Sequence, residues 1–212
     1  MSLRLHEIHP ALVHAPITLL PLAIGTDLLG RATNNKALLV SGQMAICAAA
    51  ASAVASVVTG LIAGEEVNVE GKSREMLQTH RTLNFVATVA ASSMALWRLR
   101  LKRPSHAYLG AGAVGMGILG YTAYLGGKLV YDMGVGVTPA RGVYRPDAPR
   151  LERGHVRSFF KEAGTDLIHG VKHMVEEVGK GEIVPAIISE IEKRRAATSR
   201  PPAAIPSQTN QP

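Results

Sequence analysis

The chain has 212 residues, 47% of them hydrophobic but only 4% aromatic, and carries a formal charge of +7. Its apolar residues crowd into the first two-thirds, which excludes an evenly mixed globular chain, and with no nucleic-acid motif in sight the positive charge points first to lipid. The lone cysteine, Cys47, sits mid-run, reads as inert packing and excludes a disulfide framework.

The first apolar run, Ala11 to about Gly30, is about 20 residues long, enough at about 1.5 Å per residue to cross a hydrocarbon core of about 30 Å. His9-Pro10 leads into it, Pro16 and Pro21 predict a kink in its first part, and Thr18 can help satisfy the freed carbonyls. The preceding segment has one Arg and one Glu, and the run ends without a small-residue cleavage pattern. The first run is therefore read as a retained span rather than a signal peptide. A short polar loop, Arg31 to Lys36, leads to the second run, Ala37 to about Ala63. There Ser52, Ser56, Thr59, Gly60 and Ala63 recur at helical spacing, a stripe that a neighbouring helix can approach closely. The third run extends from His80 to about Leu99 and the fourth from about Tyr108 to Val130. The fourth carries Gly110, Gly112, Gly115, Gly117 and Gly120, which suits tight packing.

These runs predict an all-α membrane protein: an antiparallel up-down four-helix transmembrane bundle (spans about 11–30, 37–63, 80–99 and 108–130) within a domain of residues 1–137. An extramembrane tail of residues 138–198 follows. In it, apolar residues from Phe159 to Val178 fall at helical spacing over 157–178, and a second amphipathic helix is expected over 183–197. Such helices suit the surface of the bilayer or of a partner, and the Pro-rich end, 199–212, is expected to be disordered.

Loop charges orient the bundle. Arg31, Lys36, Arg98, Arg100, Lys102 and Arg103 lie at one side without an acidic residue among them. At the other side, Arg4, Lys72, Arg74 and Arg81 are balanced by Glu7, Glu65, Glu66, Glu70 and Glu75. The positive-inside rule puts the first set in the cytoplasm and both termini outside the cell.

That topology gathers His9, His14, Glu65, Glu66, His80, Asn84 and the Gly126-Gly127-Lys128 segment at the outer end. His14 and His80, each within or at the lip of an apolar run, are expected to face each other and to supply two neutral imidazoles to a haem b iron, with Asn84 beside them. His9 is about 140° around the helix from His14 and is expected as a supporting hydrogen-bond partner, or as a ligand with His14, His80 and Glu65 or Glu66 in a small transition-metal site. Asp27 is expected to pair with Arg31 one turn on. Lys128 and Tyr131 read as interface anchors. No nucleophile with a base, phosphate-binding loop or metalloprotease motif is present, so no catalytic reaction is supported.

Several segments, taken together, resemble a bacterial membrane family catalogued as domain of unknown function 2231. They are His9-Pro-Ala-Leu-Val-His14-Ala-Pro16, Asp27-Leu-Leu-Gly30, Gly60, His80 with Asn84, and Gly126-Gly-Lys-Leu-Val-Tyr-Asp-Met-Gly-Val-Gly-Val137, and the likeness covers about residues 6–138. It implies a four-helix unit in the bacterial inner membrane. Some members appear fused to Rieske-type iron–sulfur domains, which implies electron transfer. This chain departs from the pattern at Ala15, where an aromatic is commoner, and in its cysteine-free tail, which lacks the two Cys ligands of a Rieske cluster. A redox role would therefore need a separate membrane or extracytoplasmic protein, met through the tail or the Gly-rich fourth helix. The competing expectations are a non-redox accessory subunit of a larger membrane complex and a transition-metal-binding membrane protein.

Overall fold

The computed structural model describes residues 3–136, 149–151 and 154–198, and these are helical almost throughout. One largely apolar stretch near the start forms a short helix and a long one. α1 (Leu5–Leu12) gives way to α2 (His14–Thr33) at Val13. Pro16 causes the interruption: it has no N–H for the carbonyl of Leu12, four residues back, and its ring crowds that carbonyl. The chain nevertheless continues in nearly the same direction, because Val13 keeps helical angles and bonds both ways, to His9 O at 3.1 Å and from Ile17 N at 3.3 Å. The helical stretch thus begins before the run expected from Ala11, with Pro10 inside α1.

Two asparagines make the next turn. Asn34 takes the left-handed conformation (φ 55°) that ends α2, its N–H reaching Gly30 O, and Asn35 caps α3 (Lys36–Glu66) through Oδ1, which accepts from Ala37 N at 2.9 Å and Leu38 N at 3.3 Å. α4 (Gly71–Leu99) starts well before the expected His80, and α5 (His106–Tyr131) is capped by Ser105, whose hydroxyl accepts from Tyr108 N at 3.1 Å. α2 packs along α3, α3 along α4, α4 along α5 and α5 back on α2. The α2–α3 contact is the most extensive because α3 offers Gly42, Ala45, Ala49, Ala50 and Ala53 on its buried side. The shared core is Leu20, Ala23, Ile24, Ile46, Met94 and Tyr108 with Ala45, Ala49, Ala50 and Ala95, and the half-buried Cys47 packs against it.

Three helical stretches are long and apolar enough to cross a membrane: Ile8–Thr33, Lys36–Glu66 and His106–Tyr131. α4, which contains the run expected as a further span, is not among them. Its first turns carry Lys72, Arg74, Glu75, Gln78 and Arg81, and Arg98 sits near its end. Beside the apolar core, Asp27, Ser56, Gln78, Thr79, Thr82, Arg98 and Thr122 are also buried, while Leu22, Leu29, Met44, Val89, Leu96 and Val114 are exposed. Large apolar side chains on the outside with charged and polar ones withdrawn from it fit lipid as the surrounding medium.

A two-residue antiparallel ladder joins β1 (Leu3–Arg4) to β2 (Arg150–Leu151), holding the start of the chain against the start of the tail. α6 (Val156–Gly179) then lies across α3, with Phe159 and Ala163 against Ile62, Val58 and Ile8, and α7 (Pro185–Thr198) packs on α4, where Ala186 N donates to Thr79 Oγ1 at 3.0 Å. The buried face of the tail therefore meets the chain's own helices, which corrects the expectation that its apolar residues serve only a bilayer or a separate partner. Residue 137, at the close of the Gly126 segment, and the 199–212 end expected to be disordered lie outside the described residues.

Candidate functional site

Two polar clusters occupy opposite ends of the helices. At one end Asp27 on α2 meets Arg98 on α4, both essentially inaccessible (0% and 1% exposed). The contact is two-pronged: Nε donates to Oδ2 at 2.8 Å and Nη2 to Oδ1 at 2.9 Å. The three remaining guanidinium protons go to Leu39 O at 2.8 Å, Leu101 O at 3.0 Å and, at 3.5 Å, Gln43 Oε1. Gly42 makes room for the carboxylate; a Cβ there would lie 2.5 Å from Oδ1. The Asp27–Arg31 pair expected from sequence does not form. Arg31 instead donates to Pro104 O at 2.7 Å and lies 2.9 Å from His106 Nε2, tying the end of α2 to the loop before α5. Arg31 lies one turn on and close to the same face, but Arg98 already takes both carboxylate oxygens of Asp27, and Arg31, near the end of α2, reaches the loop before α5 instead.

At the other end the histidines sort differently from the expectation. His14 is exposed, and its Nδ1 donates to Pro10 O, four residues back in α1, at 2.6 Å. It does not face His80. His9 takes the inward place: its Nδ1 donates to Ser56 O at 3.0 Å, with Thr59 Oγ1 at 3.4 Å, and its ring is seated against Gly60, where a Cβ would lie 2.7 Å from Cε1. His80 is held in the same manner from α4. Its Nδ1 donates to Thr122 O on α5 at 2.9 Å, and its Cε1 would lie 3.0 Å from a Cβ at Gly126. Both rings thus lie at this end of the helices, His9 turned onto α3 and His80 onto α5.

Because a carbonyl only accepts, each Nδ1 must carry the proton, which leaves each Nε2 as the basic nitrogen. Asn84 Nδ2 donates to His80 O at 2.8 Å and lies almost equally far from the two ring nitrogens, 3.3 and 3.2 Å. Equal distances place the amide over the ring face, so the in-plane lone pair of Nε2 is not the amide's target.

Glu65 and Glu66, the acidic residues expected in a metal site, do not join these rings. Glu65 accepts from His173 Nδ1 at 3.0 Å and from Arg81 at 3.4 Å, on the wall of a polar cavity of about 180 Å³ that also includes Arg74, Gln78 and Glu177. Glu66 is fully buried. Among the described residues, no three His, Cys, Asp or Glu side chains converge into a metal-binding group, so the four-ligand site of His9, His14, His80 and a glutamate is not formed. At the surface, Lys128 pairs with Asp132 at 3.3 Å and stands 5.7 Å from the Tyr124 ring centroid, and Tyr131 is fully outside.

A model of a family described as predicted membrane protein (DUF2231) matches residues 5–139, a stretch that contains both polar clusters. No curated protein and no solved structure matches the chain.

Proposed function

The chain belongs to the DUF2231 family of predicted membrane proteins, and from that premise we propose that it is an electron-transfer subunit of the bacterial inner membrane holding haem b between His9 and His80. The observation that carries this reading is the pair of imidazoles, each with Nδ1 fixed on a backbone carbonyl of a neighbouring helix and each keeping Nε2 as the basic nitrogen. Second anchors of that kind orient iron-ligating histidines. The glycine seats at Gly60 and Gly126 let both rings lie against backbone, and the donor set of two neutral imidazoles suits a haem iron better than a small divalent cation, for which no third ligand is at hand among the described residues. When bound, the haem would supply one-electron chemistry. The protein would supply axial ligands, a low-dielectric surround and, through Asn84, a polar group over one ligand ring.

In this reading α4 is the fourth span of an up-down antiparallel bundle. Its polar residues Gln78, Thr79, Thr82 and Arg98 turn inward, while Phe85, Val86, Val89, Leu96 and Leu99 are exposed as a lipid-facing surface would be. The loop charges put the His9/His80 end outside the cell, together with both termini and the docked tail. The test is an optical spectrum of the protein purified from haem-replete cells. A Soret band that shifts on dithionite reduction is expected in the wild type and in His14→Ala, and its loss is expected in His9→Ala and His80→Ala. A well-folded, colourless preparation would overturn the proposal.

A second reading, a non-redox accessory subunit of a larger membrane complex, has one observation in its favour. Gly110, Gly117 and Gly120 on α5 meet nothing within 4 Å, so much of the Gly-rich face is left open for another helix. Co-purification of a second membrane protein that bulky substitutions at Gly117 abolish, from colourless material, would favour it.

A further inference from the structure

α6 has two apolar faces, and α3 covers only one. Phe159, Ala163, Gly170 and Met174 are buried, with Gly170 so close to α3 that a Cβ would lie 3.1 Å from Leu61 O. Turned away from that contact are Phe160, Ile168, Val171, Val175 and Val178, of which Ile168 is 68% exposed and Phe160 67%. At about 100° per residue these five fall within a sector of about 80°. A scattered set of exposed apolar residues needs no explanation, but a continuous stripe along a whole helix requires an apolar environment.

The surroundings identify it. α6 rests on Val58, Ile62 and Ile8, residues of two stretches long and apolar enough to span a membrane, near their ends. Arg157 falls within the stripe and Lys161 and Lys172 adjoin it, all three exposed; Glu176 pairs with Lys172 at 3.8 Å from its far side, and Glu162 lies further round the helix. An apolar stripe edged by cations is the pattern of a helix lying in the interfacial layer of an anionic bilayer.

We infer that α6 is an interfacial helix wedged between α3 and the lipid, with the Phe160–Val178 stripe in the acyl boundary and Arg157, Lys161 and Lys172 on anionic headgroups. This rests on the reading of α1–α3 as membrane-embedded, though not on haem. It also gives the tail a role: α6 roofs the membrane at the end where His9 and His80 lie.

The experiment uses the full chain with Trp97→Phe, reconstituted into phosphatidylcholine vesicles with or without phosphatidylglycerol. Single tryptophans are introduced on the stripe (Ile168→Trp, Val175→Trp) or off it at an exposed position (Thr165→Trp). Stripe tryptophans should emit at shorter wavelength and be quenched several-fold more strongly by brominated lipid than the tryptophan at 165, more so with phosphatidylglycerol. Lys161→Glu with Lys172→Glu should abolish the phosphatidylglycerol increment. Protein that floats with the vesicles but has stripe tryptophans quenched by iodide like the one at 165 overturns the inference and leaves membrane embedding intact. Protein that fails to float overturns both.

Discussion

Arg98→Met tests the ion pair that closes one end of the bundle. In the native chain Arg98 gives Asp27 two buried charge-assisted hydrogen bonds at 2.8 and 2.9 Å and donates two more protons to Leu39 O and Leu101 O, which are partly buried. Removing the guanidinium leaves the Asp27 carboxylate buried without its counter-charge, which costs about 3–5 kcal/mol in buried pairs, or roughly two to three and a half decades in the unfolding equilibrium. Neutral interhelical hydrogen bonds in membranes average only about 0.6 kcal/mol, so a loss of several kcal/mol would identify a charge effect. Asp27→Leu is nearly isosteric, and Asp27→Leu with Arg98→Met removes both charges. That double variant should recover all but about 1–2 kcal/mol, the residue being the deprived Leu101 carbonyl. The assay is SDS titration in mixed micelles followed by Trp97 fluorescence, since Trp97 stacks edge-on against Tyr108 at 5.7 Å beside the pair. If Arg98→Met costs under about 1 kcal/mol, or if the double variant falls as far as the sum of the single ones, the pair does not hold the bundle end and the reasoning fails.

The glycines separate required from incidental ones. Gly42→Ala would put a methyl 2.5 Å from an Asp27 oxygen that Arg98 pins in place, and should destabilise by about 1–3 kcal/mol in the same titration, whereas Gly110→Ala, with nothing within 4 Å, should be neutral or stabilise by up to about 1 kcal/mol; equal effects would refute the packing argument. Gly60→Ala and Gly126→Ala should displace the His9 and His80 rings and reduce haem content measured by pyridine haemochromogen, while His14→Ala leaves it near wild type. Retention of full haem in both glycine variants would show that the seats do not position the ligands. Gly170→Val should lift α6 from Leu61 and raise hydrogen exchange across Val156–Gly179 with little change in α2 or α3; unchanged exchange would mean that the contact does not hold the helix.

Much of the helical layout was legible, because apolar runs and turn residues carry it locally. Asn34-Asn35 both stops α2 and caps α3, and the Phe159–Val178 spacing announces α6. What the tail helix packs on was not legible, since nothing local in α6 names α3 as its neighbour. Nor was Arg98. In sequence it reads with the basic loop residues although the third run is expected to reach about Leu99, and what brings it inside is Asp27 on α2 beside Gly42 on α3, which nothing local announces. The histidine assignment failed for a different reason, and the needed signal was present. Depth in the apolar run favoured His14, but rotation around the helix favours His9, which stands 18 residues before Asp27, about five whole turns and hence on one face. The residues between them on that face, Pro16, Leu20, Ala23 and Ile24, are buried.

The same spacing fixes a length. At about 1.5 Å per residue, His9 and Asp27 are about 27 Å apart along the axis, close to the thickness of the hydrocarbon core. In the proposed membrane arrangement, the imidazole seat and the Asp27–Arg98 pair would fall near the two boundaries, and the stretch between them is filled by small and aliphatic side chains, Ala23, Ile24, Ile46, Ala49 and Ala50. A charge at mid-membrane would cost more than these helices could readily recover. Placing the ionisable groups at the ends of one buried stripe keeps each near an interface while both remain inside the protein. A ligand bound at the histidine end would then sit within reach of an aqueous partner on one side only, with an apolar interior separating it from the other.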